Sequence, residues 1–168
     1  HWSVKAARAE ASIAMPGRVL EGRGYADWVE LRRFTRNLGI SRLDWGRAHV
    51  GDTTLIWNRI GQRGDVAWTR ALSVTGGDER RWDELHLDGS GAVLGPAHGR
   101  RVALEDRRVL HEGPALDRER FPSAVTRAVA GLVSPPMHET RWVSRARVDG
   151  ERDTGWAVHE RVHFGGAS

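Results

Sequence analysis

The chain has 168 residues, a formal net charge of +4 and no cysteine. This length fits one domain that buries its own core, and the lack of cysteine excludes a disulfide framework and a thiolate metal site. No run approaches the ~18 consecutive apolar residues of a membrane span, so we expect no transmembrane segment and favour a cytoplasmic or membrane-peripheral location.

The excess of positive charge raises nucleic acid as a partner. Lys5 is the one lysine, and several arginines occur in doublets, such as Arg32-Arg33 and Arg100-Arg101, that are interspersed with acidic residues. Since phosphate binding requires cations gathered into a patch or stripe, this distribution indicates a solvated, arginine-rich surface. We therefore expect no nucleic-acid partner.

Most of the chain has the alternation of apolar and polar residues that is typical of half-buried β-strands. Predicted strands lie near 3–14, 18–33, 43–50, 53–60, 66–74, 81–87, 100–112, 138–148 and 155–164. Turns are predicted at Pro16-Gly17, Gly51-Asp52, Gly76-Gly77-Asp78, Asp88-Gly89 and Asp149-Gly150. Many strands at short spacing with tight turns predict an all-β, antiparallel fold, either a closed up-and-down barrel or a sandwich.

Two segments depart from this pattern. Between Pro122, which suits the first turn of a helix, and Pro135-Pro136, apolar residues recur at helical spacing. This predicts one short helix over 122–133, before the last two strands. The glycine-rich region 88–99 is predicted to be a loop.

Tryptophan is unusually frequent, with eight residues against three phenylalanines and one tyrosine. Any one of them could simply fill the core, because an indole covers a large apolar area and its N–H needs only one partner. Alternatively, several line the inside of a barrel too wide to be filled, where they hold an unsaturated or cationic ligand. The candidate substrate-binding tryptophans are Trp2, Trp45, Trp57 and Trp142.

Alternation places Asp27 on an apolar face of its strand, together with Tyr25 and Val29. A buried carboxylate is stable only when it is paired or protonated. In one alternative, Arg47 pairs with Asp27 and fixes the register of the barrel. In the other, Asp27 is a protonated acid in an apolar pocket, which makes it a general acid near neutral pH.

The same choice applies to Glu160, which shares a face of the last strand with Trp156. Arg59 is its candidate ion-pair partner, and Glu160 and Arg47 also join the candidate substrate-binding residues. The opposite face of the strand carries His159, Arg161 and His163, which we expect to face water. Histidines four residues apart on a strand are separated by about 13 Å and cannot share a metal ion, so no metal site is predicted.

Four short motifs resemble one known family. They are Gly22-Arg23-Gly24-Tyr25-Ala26-Asp27, Leu43-Asp44-Trp45-Gly46-Arg47, His138-Glu139-Thr140-Arg141-Trp142 and Gly155-Trp156-Ala157-Val158-His159-Glu160. They are similar to the second half of the lipocalin-like proteins related to carotenoid 1,2-hydratase, the hydroxyneurosporene synthase or AttH-like family. The resemblance covers most of the chain but only one of the two tandem barrels of that family.

The resemblance implies that the whole chain is a single lipocalin-like (calycin) barrel, the C-terminal half of a two-barrel protein whose N-terminal sister barrel is a partner. Such proteins act without a redox cofactor, as hydratases and cyclases, on hydrophobic isoprenoid or polyketide-like substrates. Their Gly-Tyr-x-Asp motif matches Tyr25 and Asp27, and their upstream His/Trp pair matches His1 and Trp2.

These observations favour a cofactor-independent lyase or cyclase that protonates a C=C bond of a hydrophobic unsaturated substrate in an aromatic cavity. Asp27 is the candidate acid and Tyr25 its hydrogen-bond partner or proton relay, while the tryptophans would stabilise the carbocation. No cofactor is expected. The alternatives are a non-catalytic lipocalin-like carrier of a hydrophobic small molecule and a structural barrel of a larger protein. Neither alternative requires an acid in the cavity.

Overall fold

The computed structural model describes residues 1–30, 39–62, 65–88, 91–94, 99–115, 123–133 and 135–165. Most of them belong to strands: β1 (Trp2–Met15), β2 (Arg18–Val29), β3 (Ile40–Val50), β4 (Thr53–Gln62), β5 (Asp65–Thr75), β6 (Asp78–Trp82), β7 (Leu85–Leu87), β8 (Gly91–Leu94), β9 (Arg100–Pro114), β10 (Met137–Val148) and β11 (Thr154–Phe164). The strands pair antiparallel throughout. The predicted all-β, antiparallel class is therefore confirmed.

The chain divides into two compact units, His1–Arg32 and Arg33–Ser168. The first unit contains a two-stranded hairpin of β1 and β2. The predicted turn joins these strands, and Gly17 in it has a φ of 78°, a backbone conformation that glycine adopts at little cost.

The second unit contains the other nine strands in one sheet, in the order β6-β5-β4-β3-β11-β10-β9-β8-β7. Apart from β6 and β7, strands that follow one another in the chain are neighbours, and the last strand, β11, pairs with the first strand of the sheet, β3. This is the order of an up-and-down barrel that is open only between β6 and β7. The second unit thus forms an antiparallel barrel, as predicted, and not the two layers of a sandwich. The strands predicted over 3–14 and 18–33 belong instead to the separate two-stranded sheet.

Large and small apolar side chains share the inner face of this barrel. Leu55 and Trp57 on β4 are almost fully buried, at 0% and 2% exposure. They pack in one cluster with four alanines, Ala48, Ala71, Ala146 and Ala157. Each large side chain removed from water contributes roughly 1.5–3 kcal/mol, and the small residues leave the space that the large ones fill.

The inner face of β11 is the opposite of the predicted one. Ala157 and His159 are 1% and 7% exposed, whereas Trp156 is 65% exposed. His163 is exposed as predicted, but the prediction that His159 faces water is wrong. Side-chain size points to the wrong face here, because large residues of neighbouring strands already occupy the interior beside Ala157 and leave space there for only a small side chain.

Two predicted elements differ from the structure between 81 and 99. The single strand predicted over 81–87 is interrupted and forms β6 and β7, and the predicted loop 88–99 contains the short strand β8. Residues 31–33 of the strand predicted over 18–33 lie outside the described residues, as does Gly89 of a predicted turn.

The helix that the structure describes, α1 (Ala124–Val133), confirms the prediction for 122–133 to within two residues. The hydroxyl of Ser123 accepts a hydrogen bond from the backbone N–H of Thr126 at 3.4 Å, the arrangement of a serine N-cap. In the described ranges, no helix is both long and apolar enough to cross a membrane.

Candidate functional site

Three residues of the predicted site meet in the hairpin of the first unit. Asp27 Oδ2 accepts hydrogen bonds from Trp2 Nε1 at 2.7 Å and from Tyr25 Oη at 2.9 Å. Tyr25 and Asp27 are two residues apart on β2 and share a face, while Trp2 comes from the paired end of β1. Both donors are neutral and both bonds end on one oxygen. Among the described residues, none donates a hydrogen bond to Oδ1.

Four further residues of the predicted site line a cavity of about 290 Å³ in the second unit: Trp45, Trp57, Trp142 and Glu160. Charged side chains line it as well, among them Asp44, Arg107 and Arg161. Its walls are therefore partly aromatic and partly charged. Arg47, the remaining predicted residue, lies on the face of β3 opposite to Asp44 and outside the described lining.

A glycine makes room for Trp57 in this cavity. Gly46 on β3 lies opposite Trp57 on β4 and opposite His159 on β11. A Cβ atom at Gly46 would overlap the six-membered ring of the Trp57 indole. The edge of the indole formed by Nε1, Cε2 and Cζ2 thus lies directly against Gly46 of β3, and a glycine is required for that placement.

His159 is the cavity residue that the sequence analysis missed most clearly. Its imidazole is stacked on the indole of Trp142, with 5.1 Å between ring centroids, and its Nε2 atom lies 2.9 Å from Ser144 Oγ. Burial, together with the positive charges of Arg107 and Arg161, lowers the pKa of His159 to about 4. His159 is therefore neutral at pH 7. One feature of the sequence could have indicated that His159 is buried: it shares a face of β11 with the small residues Gly155 and Ala157.

A buried carboxylate at the cavity is held by two arginines. Asp44, 4% exposed, accepts hydrogen bonds from Arg42 at 2.6 and 2.9 Å and from Arg161 at 2.8 Å. Such charge-assisted bonds compensate for the removal of the carboxylate from water. The Arg-x-Asp spacing on one strand face could have indicated the first pair, whereas the pair with Arg161 depends on the register of β3 and β11.

A β-bulge in β9 carries another cavity residue. Arg108 lies opposite Val143 and Glu105 lies opposite Arg145, so two residues of β9, Asp106 and Arg107, face the single residue Ser144 of β10. Asp106 has a φ of 48°, a left-handed conformation uncommon outside glycine. Bulges of this kind redirect a side chain, and here the Arg107 guanidinium lies 5.6 Å from the centroid of the Trp142 ring.

Glu160 is ion-paired, but its partner is not the predicted one. Arg141 on β10 donates to Glu160 Oε2 at 3.0 and 2.8 Å, and the same guanidinium contacts Glu139 at 2.8 Å. The predicted partner Arg59 is thus wrong. Arg141 takes this place because it lies directly opposite Glu160 in the register of β10 and β11.

No protein-family model matches the chain, and no curated protein matches it either. Among solved structures, the chain is similar to a Nitrosomonas europaea protein provisionally assigned as AttH, with 13% identity, a TM-score of 0.53, and coverage of 95% of this chain and 50% of that one. Kievitone hydratase from Nectria haematococca has 12% identity, a TM-score of 0.45, and coverage of 93% and 50%. The first likeness confirms the AttH-like, lipocalin-like resemblance as a fold. The chain spans about half the length of both structures.

Proposed function

We propose that this chain is a cofactor-independent lyase of the hydratase type, which protonates a C=C bond of a hydrophobic, unsaturated small molecule with Asp27 as the acid. The observation that supports this most is the hydrogen bonding of Asp27, whose Oδ2 accepts from two neutral groups, Trp2 Nε1 and Tyr25 Oη. In a protonated carboxyl, Oδ2 is then the carbonyl oxygen that accepts both bonds, and the O–H on Oδ1 is the group that donates a proton.

The proposed reaction balances with water alone. The proton of Asp27 Oδ1 moves to one carbon of the alkene and leaves a carbocation on the other carbon. Water adds to that cation and returns a proton to the carboxylate. Loss of a neighbouring C–H proton to the carboxylate instead gives an isomer, and a cyclised product forms when a second C=C bond of the substrate attacks the cation before that proton is lost. The Tyr25 hydroxyl and Trp2 N–H hold the carboxylate in place between these steps.

The cavity of the second unit is proposed, from its own geometry, to bind an unsaturated ligand. Trp57 and Trp142, which lie on the inner faces of β4 and β10, supply aromatic surface, and such surface attracts both π-systems and cations. The carboxylates of Asp44 and Glu160 in this lining are paired with arginines, so the proposal gives neither of them the role of acid.

Transfer of deuterium tests the proposed activity. The protein is incubated in D2O with a panel of terpenoid and polyketide-type alkenes, and products are analysed by mass spectrometry. We expect one carbon-bound deuterium in the product, with or without addition of water, and none with Asp27→Asn. Equal deuterium incorporation by the variant would contradict the assignment of the acid.

A carrier is the second candidate, because the cavity carboxylates that the structure describes are ion-paired and the cavity alone offers binding without an acid. A carrier binds members of the alkene panel saturably and returns them without deuterium. Saturable binding with no deuterium transfer across the panel would therefore support the carrier and contradict the lyase.

A further inference from the structure

We propose that three arginines at one end of the barrel interior, Arg42, Arg59 and Arg161, bind a phosphate group. Asp44 and Arg161 line the cavity of the second unit, so this inference rests on the part of the proposed function that makes the cavity a binding site. It does not depend on Asp27 as the acid.

Arg59 and Arg161 lie on either side of Asp44 on the inner face of the barrel. Asp44 on β3 is directly opposite Arg59 on β4 and directly opposite Arg161 on β11. Adjacent strands are about 4.8 Å apart, so the backbones of the two arginines are separated by about 10 Å. Arg42 shares the face of Asp44, two residues along β3. One group placed near Asp44 is therefore within reach of all three side chains.

Asp44 uses only part of the N–H donors of these arginines. Its oxygens accept from Nε and Nη2 of Arg42 and from Nε of Arg161. Among the described residues, none accepts a hydrogen bond from the two terminal nitrogens of Arg161 or from Arg59. Arg59 is also half-buried, so its guanidinium has lost part of its hydration without an ion pair in return. A bound anion would supply the missing acceptors.

The charges of this cluster favour an anion. Three guanidiniums and one carboxylate leave two positive charges. The nearby imidazole of His163 has a lowered pKa: burial is the largest cause, and Arg161 and Arg42 each lower the pKa more than Asp44 raises it. The field of the arginines therefore outweighs that of the carboxylate. Glu112 on β9 shares the inner face but is exposed, so water screens its charge.

A phosphate group suits this arrangement better than a carboxylate. At pH 7 a phosphate monoester carries a charge of about −1.5 to −2 and offers three acceptor oxygens. Two charges then meet two charges, and the forks of Arg59 and Arg161 bind different oxygens. The side chains of Arg42 and Arg161 are 36% and 39% exposed, so the group can enter from solvent.

Three probes test the inference: phenyl phosphate, inorganic phosphate, and benzoate as a monoanion with a carboxylate. Calorimetric titrations compare the full chain with Arg59→Gln, Arg59→Lys and Arg108→Gln. Arg108 is the matched control, because it is an exposed arginine on the outer face of β9. Arg59→Gln breaks no ion pair with a described residue and should fold, which thermal unfolding checks.

We expect the unmodified chain and Arg108→Gln to bind phenyl phosphate about tenfold more tightly than benzoate. Arg59→Gln should weaken the binding of phenyl phosphate by about tenfold, and Arg59→Lys, which keeps the charge but not the fork, by about threefold. Inorganic phosphate separates two sources of the group. Tighter binding of phenyl phosphate assigns it to a ligand of the cavity, and equal binding assigns it to free phosphate.

No saturable binding of either phosphate would overturn the inference, as would equal affinity for phenyl phosphate and benzoate, or equal losses in Arg59→Gln and Arg108→Gln. If Arg59→Gln does not fold, an Arg59→Lys variant that binds phenyl phosphate as tightly as the unmodified chain would overturn it. The proposed function depends on Asp27 and fails only in the deuterium experiment, so the two failures are distinguishable.

Discussion

His159 and Trp142 stack inside the barrel with their ring centroids 5.1 Å apart, and Nε2 of the same imidazole lies 2.9 Å from Ser144 Oγ. A positive charge on His159 would be poorly solvated there. Burial is accordingly the largest cause of its low pKa of about 4, followed by the charges of Arg107 and Arg161. The imidazole of His159 therefore lines the cavity in its neutral form.

Acid should destabilise the protein through His159. An unfolded histidine has a pKa near 6.5, whereas His159 in the folded chain has a pKa of about 4. Between these values the unfolded state binds more protons, so the free energy of unfolding falls as the pH decreases and the loss is complete below about pH 4, amounting to about 3 kcal/mol. Urea unfolding across this range should show the slope.

Two histidine variants separate this effect from general acid denaturation. His159→Gln should remove most of the slope between pH 6.5 and 4. Burial also lowers the pKa of His163, but this residue is exposed, so His163→Gln should remove little. Equal slopes in the unmodified chain and His159→Gln would show that the buried imidazole is not the cause.

Gly46→Ala should displace the indole of Trp57. The added methyl group overlaps that ring, so we expect a loss of about 1–3 kcal/mol in the free energy of unfolding and weaker binding in the cavity. Gly22→Ala is the matched control, because a Cβ atom there has nothing within 4 Å. The test is urea unfolding of both variants, and equal stabilities would contradict the placement of Trp57.

Much of the fold is predictable from local pattern, because alternation and turn residues act on short stretches of chain. The last strand, predicted over 155–164, is observed as Thr154–Phe164, and the predicted Pro16-Gly17 turn is present. The face of a strand is harder to predict. On β11 the interior takes Ala157 and His159, while Trp156 remains exposed, because neighbouring strands decide how much space is left.

The site was predictable where its residues share a strand and unpredictable where they meet across strands. Tyr25 and Asp27 lie at i and i+2, so alternation alone placed them together. Arg141 pairs with Glu160 only because the two strands take one particular register. The bulge that redirects Arg107 could not be predicted from a glycine in the sequence, because the residue with the positive φ is Asp106.

Asp44→Asn should be costly because it leaves Arg42 and Arg161 without their shared carboxylate. Both arginines are more than a third exposed, so water offsets part of the cost and we expect a loss of about 2 kcal/mol in the free energy of unfolding. Asp83→Asn is the control, since its ion pair with Arg70 is exposed and should contribute less than about 1 kcal/mol. Similar thermal unfolding of the two variants would argue against a stabilising role for the ion pairs of Asp44 with Arg42 and Arg161.

Tyr25→Phe removes one of the two hydrogen bonds to Asp27 Oδ2 and leaves the bond from Trp2. Because the proton source remains, deuterium transfer to a substrate from the panel should fall by on the order of 10²-fold and not vanish. Initial rates of deuterium incorporation measure the effect. A rate equal to that of the unmodified chain would exclude Tyr25 from the proton-transfer step.

The most direct test of the central claim is Asp27→Asn, with thermal unfolding and deuterium transfer measured on the same preparation. An amide keeps the size of the side chain and an oxygen that can accept from Trp2 and Tyr25, but it has no acidic proton. The account predicts a variant that unfolds within about 1 kcal/mol of the unmodified chain, binds its substrate within a few fold and transfers no deuterium. A variant that melts early, yet keeps the unmodified rate of transfer per folded molecule, would contradict it and make Asp27 a structural residue.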